Sequence, residues 1–370
     1  MLQLGGLPVV PDPRPSRRAR LLETLALSKA EAMLVSHPPN VRYLSGFTGS
    51  NALLLVTPRK SVLYTDPRYD FQASAECDCA VKVLTGPTWT DAVSNIARKR
   101  ISRLALEAAR VTHNQWMSAS AVFGKKTKLT GVGTLVDRQR MVKSEAEIEL
   151  IRRSVLLASK VYEKAIRKVK PETTELALAA TIDFEMRKLG ASGPSFETIV
   201  ASGEHSALPH ARPRAVEVGR DRLLLVDMGA WLDGYASDMT RMAYLGRPTA
   251  KAADLHSAVL EAQLAAIGMV RAGVQARKVD EAARRSLKKR KLDRAFMHST
   301  GHGLGLEIHE DPRIGRTSDE TLEAGMVITI EPGAYLEGYG GVRIEDTILV
   351  TESGAEILTP TTKELLVLAS

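Results

Sequence analysis

The sequence predicts an α+β protein of two domains, a smaller N-terminal α/β domain over residues 1–138 and a larger domain over 144–370. Three observations carry this reading. The chain is 370 residues long, enough for a large core and for two domains. Its first third alternates short strand-like runs with helical patterns, the order that builds an α/β layer. A charged junction, DRQRMVK at 137–143, then separates the strand-like LTGVGTLV from a long amphipathic pattern that opens a second series of elements.

In the first domain, residues 17–30 have helical apolar spacing, and strand-like runs follow at 33–35, 52–56, 61–65, 81–84 and 103–107. Helical patterns intervene at 69–75, 90–99 and 112–123. Two polar loops, GFTGS at 46–50 and TDPRY at 65–69, present Asp66, Arg68 and Tyr69 at the surface. In the second domain, Ser144 with Glu147 three residues on forms a capping-box pattern, and the helix it opens runs to about residue 169, before Pro171. A helix over 175–189 ends at Gly190, a strand covers 196–201, and further helices cover 251–272 and 278–289. The remainder reads as strands and glycine-rich loops.

The stretch LLLVDMGAWLDGYASDM, 223–239, is the centre of the second domain. Residues 223–226 are an apolar, partly branched run that reads as a buried strand, and Asp233-Gly234 is a favoured two-residue hairpin turn. That turn pairs Leu232 with Tyr235, Gly229 with Asp238 and Asp227 with Thr240. Side chains alternate along a strand and paired residues share a face, so Asp227 and Asp238 point the same way as diagonal neighbours. Diagonal backbones lie about 7–8 Å apart, which leaves room for cations between the carboxylates. Without them, two carboxylates facing one buried space repel and are costly to desolvate. The plain alternative is a solvent-facing hairpin with two surface acids.

Composition narrows the function classes. With 44% hydrophobic and 25% charged residues the chain is of soluble globular type. No apolar run has the length of a membrane span, and the stretch 2–10 is short, glycine-broken and followed by PDPRPSRR, not by a cleavage site. A cytoplasmic protein is expected. Cys77 and Cys79 are the only cysteines, so there is no disulfide framework, and they read as reduced thiols. The net charge of +8 is dispersed, and clusters such as Lys288 to Lys291 have no interleaved aromatic platform. Neither nucleic acid nor membrane is expected as a partner.

Four of the eight histidines stand in metal-type context: His210 before the hairpin, and His298, His302 and His309 within MHSTGHGLGLEIHED. Gly301, Gly303 and Gly305 permit close backbone approach to a bound species, and there is neither a GxGxxG fingerprint nor an HExxH motif. Farther on, Val327, Thr329 and Glu331 fall on one face of MVITIEPG, and Arg343, Glu345 and Thr347 on one face of VRIEDTILV. Two more strands thus each deliver a carboxylate, with Arg343 beside Glu345 to neutralise and orient carboxylates. Two Asp, two Glu and at least one His form an oxygen-rich set suited to two hard or borderline cations such as Mn²⁺, with Co²⁺ or Zn²⁺ as alternatives. Two ions bridged by carboxylates hold a shared hydroxide as nucleophile.

The order Asp227, Asp238 in SDMTR, then GHG, IEPG and RIED resembles the Xaa-Pro peptidases of the pita-bread metallopeptidase fold, aminopeptidase P and prolidase. The likeness extends to SFETIVASG, to LPHARP and to an N-terminal domain of creatinase-like type, and so covers essentially the whole chain. It implies a C-terminal pita-bread catalytic domain and two divalent ions per subunit, held by Asp227, Asp238, His302, Glu331 and Glu345. It implies that His210 and His309 polarise the scissile carbonyl or stabilise the tetrahedral intermediate, that His298 lies in the substrate pocket, and that Arg343 orients the site. Glu331 would also accept the proton of the bridging water. The expected activity is hydrolysis of the N-terminal Xaa-Pro bond of peptides, with Xaa-Pro dipeptidase as the runner-up. Creatinase-like enzymes lack the ligand set, methionine aminopeptidases lack the large N-terminal domain, and a non-catalytic pita-bread binding module would have lost ligands. A homodimer is expected, with the loop bearing Arg68 and Tyr69 as a candidate lid over a neighbour's site. The plain reading of Arg68 is an ion pair with Asp66 or Asp70.

Overall fold

A computed structural model describes residues 13–368; the apolar stretch 2–10 lies outside them. The chain divides into two compact units between Arg140 and Met141.

The first unit is built on a six-stranded mixed sheet ordered Ala80–Val83, Ser61–Thr65, Ala52–Val56, Ala32–Val35, Arg103–Glu107, Lys128–Val132. Leu34, Leu55, Tyr64 and Leu106 pack under the helices Thr88–Ala97 and His113–Phe123 through Val93, Ile96, Ala119 and Phe123. The helix Pro38–Ser45 did not stand out in the sequence. It starts where the buried Glu107 carboxylate accepts from Ser36 N at 2.6 Å and His37 N at 2.9 Å, a favourable charge at a helix N-terminus. Arg68 is 71% exposed at its side chain and pairs with Asp66, its Nε and Nη2 donating over 2.9 and 2.8 Å, while Tyr69 bonds Ser50. The helix read over 17–30 runs instead over Pro13–Ala26, and a turn with Lys29 at positive φ leads into the first strand.

The second unit opens with the helix Glu145–Ile166, where the Glu147 carboxylate accepts from Ser144 N at 3.0 Å and from its hydroxyl at 2.8 Å. Its central sheet is ordered Leu366–Leu368, Met239–Leu245, Arg222–Met228, Ile199–Ser202. The strand Arg222–Met228 is buried on both faces, as a continuous apolar run predicts. Leu224, Val226 and Met228 face the helices Glu145–Ile166 and Glu175–Lys188, while Leu223 and Leu225 face Ala250–Ile267 and Ala276–Lys289. Truncating Leu225, 1% exposed, to Ala costs about 2–5 kcal/mol on the usual scale for buried leucines. Asp227 continues the odd-numbered face.

A second sheet is ordered Glu310–Ile314, Gly301–Gly303, Val327–Ile330, Asp346–Val350, Ala355–Ile357, and a ribbon pairs Gly333–Leu336 with Gly340–Arg343. VRIEDTILV is therefore not one strand. It leaves the ribbon at Arg343 and joins the larger sheet at Asp346, and between them Ile344 N donates to Pro332 O at 3.4 Å and Glu345 N to Thr240 O at 3.2 Å. Among the described residues no helix is long and apolar enough to cross a membrane.

Candidate metal centre

The central hairpin folds in the register its turn dictates. Leu232 pairs with Tyr235 and Asp227 with Thr240, and both turn residues take positive φ, 52° at Asp233 and 78° at Gly234. Gly229 lies at the neck, where a Cβ would come within 1.9 Å of Ser237 O. Asp227 and Asp238 share the odd-numbered face of the first strand and are 8% and 5% exposed.

The other sequence-predicted ligands converge on the same place. Asp238, His302 and Glu345 each offer an atom within 4.8 Å of the others. His302 Nε2 stands 3.5 Å from Asp238 Oδ2 and 3.5 Å from Glu331 Oε1. The tautomer follows from its other nitrogen: Nδ1 faces Gly303 O at 3.0 Å, a carbonyl can only accept, and so Nδ1 carries the proton. Nε2 then aims a lone pair at the carboxylates. Gly301 makes this approach feasible, since a Cβ there would lie 1.9 Å from Thr329 O.

Arg343 is the cation among four carboxylates. Its Nη2 donates to Asp227 Oδ2 at 2.5 Å, its Nε to Thr240 Oγ1 at 3.1 Å, and its Nη1 to Tyr335 OH at 2.8 Å and Pro209 O at 3.1 Å. Thr240 Oγ1 in turn donates to Glu345 Oε2 at 2.7 Å. Burial works against the guanidinium, but Tyr335 and the carboxylates outweigh it and hold its pKa above the ordinary value.

The electrostatics call for more positive charge than Arg343 supplies. Burial, with Asp227 and Glu331 nearby, pushes Asp238 well above the usual carboxylate range, and burial with Asp238, Glu331 and Asp227 does the same to Glu345. Burial pushes Glu331 up to about 7. His302 falls to about 4 by burial and by His309 beside it, and is neutral as a ligand must be. Among the described residues, Asp227 Oδ1 and Glu345 Oε1 are buried without a hydrogen-bond partner. Orphaned carboxylate oxygens of this kind are costly in a protein interior, and divalent cations satisfy them. The donor set, four carboxylates and one imidazole, fits two hard or borderline ions.

The remaining histidines differ in how free they are. His309 is exposed, its ring centroid is 4.4 Å from that of His302, and among the described residues its nitrogens make no hydrogen bond to protein. His210 is exposed and follows Pro209; burial, with His210 nearby, lowers the pKa of His309, and burial, with Arg343 and His210 nearby, lowers that of His298 to about 4. His298 is tied at both nitrogens: Nδ1 donates to Ser299 O at 2.8 Å, so Nε2 accepts from Tyr335 OH at 2.8 Å. It therefore joins the chain Tyr335, Arg343, Asp227, and has no free ring nitrogen for a ligand.

Sequence reasoning missed Tyr335 and Thr240, which were visible only as residues two to four positions from ligands. The sequence reading did not single out Arg313 either. This residue is exposed on the strand Glu310–Ile314, four residues after His309, and has no ion pair among the described residues. A Cβ on Gly315 would lie 3.6 Å from Arg313 Nε and 3.4 Å from Ser299 Cβ, so this guanidinium sits beside the residue that follows His298.

The carboxylate and imidazole cluster of the second unit, with a donor set that suits divalent cations, defines a metal-dependent hydrolase. Residues 149–352 match Metallopeptidase family M24 and residues 17–142 match the Creatinase/Prolidase N-terminal domain. The chain belongs to metallopeptidase family M24, with the pita-bread fold and creatinase-type N-terminal domain of the Xaa-Pro peptidases. It is 33% identical over 362 residues to an Xaa-Pro dipeptidase of Pyrococcus horikoshii, covering 94% of this chain and 97% of that one. Among solved structures it resembles an Xaa-Pro dipeptidase from Bacillus anthracis, with a TM-score of 0.93, 32% identity and coverage of 96% and 100%. An X-Pro aminopeptidase from Thermotoga maritima has a TM-score of 0.87, 36% identity and coverage of 93% and 99%.

Proposed function

We propose that this metallopeptidase is an Xaa-Pro dipeptidase that uses two divalent ions, Mn²⁺ first among them, held by Asp227, Asp238, His302, Glu331 and Glu345. The observation that carries the metal site is the convergence of these groups, Asp227, Asp238 and Glu345 buried and His302 and Glu331 half-buried, with two orphaned oxygens among the described residues. When bound, the ions supply Lewis acidity that polarises a carbonyl and makes a water molecule nucleophilic at neutral pH. Glu331 takes the proton of the attacking water and returns it to the proline nitrogen, which has no N–H of its own in the imide bond and must leave as an amine. His309 and His210, both exposed beside the cluster, donate to the carbonyl oxygen as charge develops there. Arg343 and Tyr335 keep Asp227 in place, and His298 keeps Tyr335 in place.

Two observations favour the dipeptidase over the aminopeptidase expected from the sequence. The relatives from Pyrococcus horikoshii and Bacillus anthracis carry that activity in their names and match nearly end to end. Arg313 is an exposed guanidinium without a carboxylate partner among the described residues, suited to the free carboxylate that ends a dipeptide. The second reading, aminopeptidase, is favoured by the likeness to the Thermotoga maritima enzyme. The test is hydrolysis of Ala-Pro against Ala-Pro-Ala with Mn²⁺. The dipeptide should turn over much faster, and Arg313→Leu should lower its kcat/KM by about 10–100-fold, the worth of one charge-assisted hydrogen bond, with little effect on the tripeptide. Faster cleavage of the tripeptide would make the chain an aminopeptidase.

A further inference from the structure

Behind the carboxylates lies a second charged group that the proposed chemistry does not use. Arg241 is 1% exposed and follows Thr240 on the strand Met239–Leu245, so it leaves the strand on the face opposite Asp238. Its guanidinium makes five hydrogen bonds. Nη1 donates to Thr240 O at 3.0 Å and Glu345 O at 2.5 Å; Nη2 donates to Asp346 Oδ1 and Thr361 O, both at 2.7 Å; Nε donates to Thr361 O at 3.3 Å. The fork of an arginine has five N–H groups, and all are used. Asp346, 0% exposed, is held on its other oxygen by Gln263 Nε2 at 2.7 Å and Lys363 Nζ at 2.6 Å.

A buried ion pair is an expensive way to fill space, and an apolar plug of similar volume is often at least as stable. What a plug cannot do is bond three carbonyls from three separate segments. One of them, Thr240 O, also accepts from Glu345 N at 3.2 Å. Thr240 is two residues after Asp238, so the arrangement fixes the backbone of Asp238 relative to that of Glu345. Asp238 O is held from the same side by Thr347 Oγ1 at 2.9 Å. Metal–ligand distances in a well-formed site lie within about 0.2 Å of their ordinary values, so the spacing of the ligand backbones matters. We infer that Arg241, held in place by Asp346, is a positioning residue that sets the spacing of the Asp238 and Glu345 carboxylates and thereby the affinity for divalent cations. The inference rests on the metal-binding reading of these carboxylates and not on the choice of substrate.

The test is calorimetric titration of Mn²⁺ into the full metal-stripped chain, followed in parallel by loss of the free Mn²⁺ electron paramagnetic resonance signal. Arg241→Lys keeps the charge but has three donors on a point charge and cannot span the three carbonyls. It should weaken Mn²⁺ binding about 10–100-fold, the usual effect of removing an outer-shell partner, while far-UV circular dichroism stays that of the wild type. Asp346→Asn leaves an oxygen for Arg241 but removes the charge that holds it, and should weaken binding in the same direction. A folded Arg241→Lys protein that binds Mn²⁺ within about threefold of the wild type overturns the inference. So does wild-type affinity in Asp346→Asn if the lysine variant does not fold. If the wild type itself binds no Mn²⁺, the metal reading has failed and the inference falls with it, a result distinct from tight wild-type binding that Arg241 leaves unchanged.

Discussion

Arg343 allows the electrostatic account of the site to be tested without any metal. In metal-free protein it is the counter-charge to Asp227, Asp238, Glu331 and Glu345, and it is 3% exposed. Arg343→Met keeps much of the side-chain volume and removes the charge. Breaking a buried pair by deleting one partner costs about 3–5 kcal/mol, because the other charge is left uncompensated. At about 2–4 °C per kcal/mol for a unit of this size, the main melting transition should fall by about 6–20 °C. Asp227→Asn added to Arg343→Met removes the carboxylate that the arginine contacts at 2.5 Å and that also repels the other three. The double variant should therefore melt above Arg343→Met, a strongly non-additive cycle. Differential scanning calorimetry in excess chelator measures all of these variants. If Arg343→Met melts within a degree or two of the wild type, or if the two losses simply add, four mutually repelling carboxylates are not what Arg343 balances.

Exhaustive chelation should abolish peptidase activity and Mn²⁺ or Co²⁺ should restore it; full activity in metal-free protein would refute the assigned ligands. Asp238→Ala or Glu331→Ala should lose metal as judged by elemental analysis. By contrast, His309→Ala or His210→Ala should keep it while kcat falls by about 10²–10³, the scale of a lost oxyanion donor. Away from the site, burial acts to raise the pKa of Glu175, but Arg214, Ser202 N and His205 outweigh it and hold it below the ordinary carboxylate value. Its folded pKa is thus depressed, so it contributes stability above about pH 4.3, the unfolded value, and loses it as pH falls through the folded one. Melting temperatures of the wild type and Glu175→Gln should differ most at neutral pH and converge in acid. A constant difference from pH 7 to pH 3 would contradict the assignment.

The most legible part of the chain was the one with the strongest local rules. Asp233-Gly234 dictates a two-residue turn, the turn dictates the register, and the register puts Asp227 and Asp238 on one face; the structure has the expected pairs Leu232 with Tyr235 and Asp227 with Thr240. Glu331 was legible for a similar reason, since it directly follows the strand Val327–Ile330 and continues the face of Val327 and Thr329. Glu345 was assigned to a strand that in fact breaks beside it, because alternation carries no signal that a chain is passing between sheets. That break depends on Thr240 O and Pro332 O, contacts distant in sequence. The helix Pro38–Ser45 escaped notice because its start is set by Glu107, some 70 residues away. For His298, placed by the sequence reading in the substrate pocket, the sequence gives residue type but not partners. Its two hydrogen bonds exist only once Tyr335 has been brought to it from the neighbouring ribbon.

The strand Arg222–Met228 has helices packed on both of its faces, and this constrains how the chain can change over evolutionary time. Loss or gain of a single residue between Leu223 and Asp227 would exchange the two faces, sending Asp227 into an apolar helix layer and presenting Val226 to the other carboxylates. No compensating point substitution restores that parity. The tip is less constrained: Asp233 is exposed, and a longer loop there can leave the arms paired as they are, because burial of their faces specifies the register as well as the turn does. Length variation among descendants of this sequence should accordingly collect at the hairpin tip and be absent from its arms.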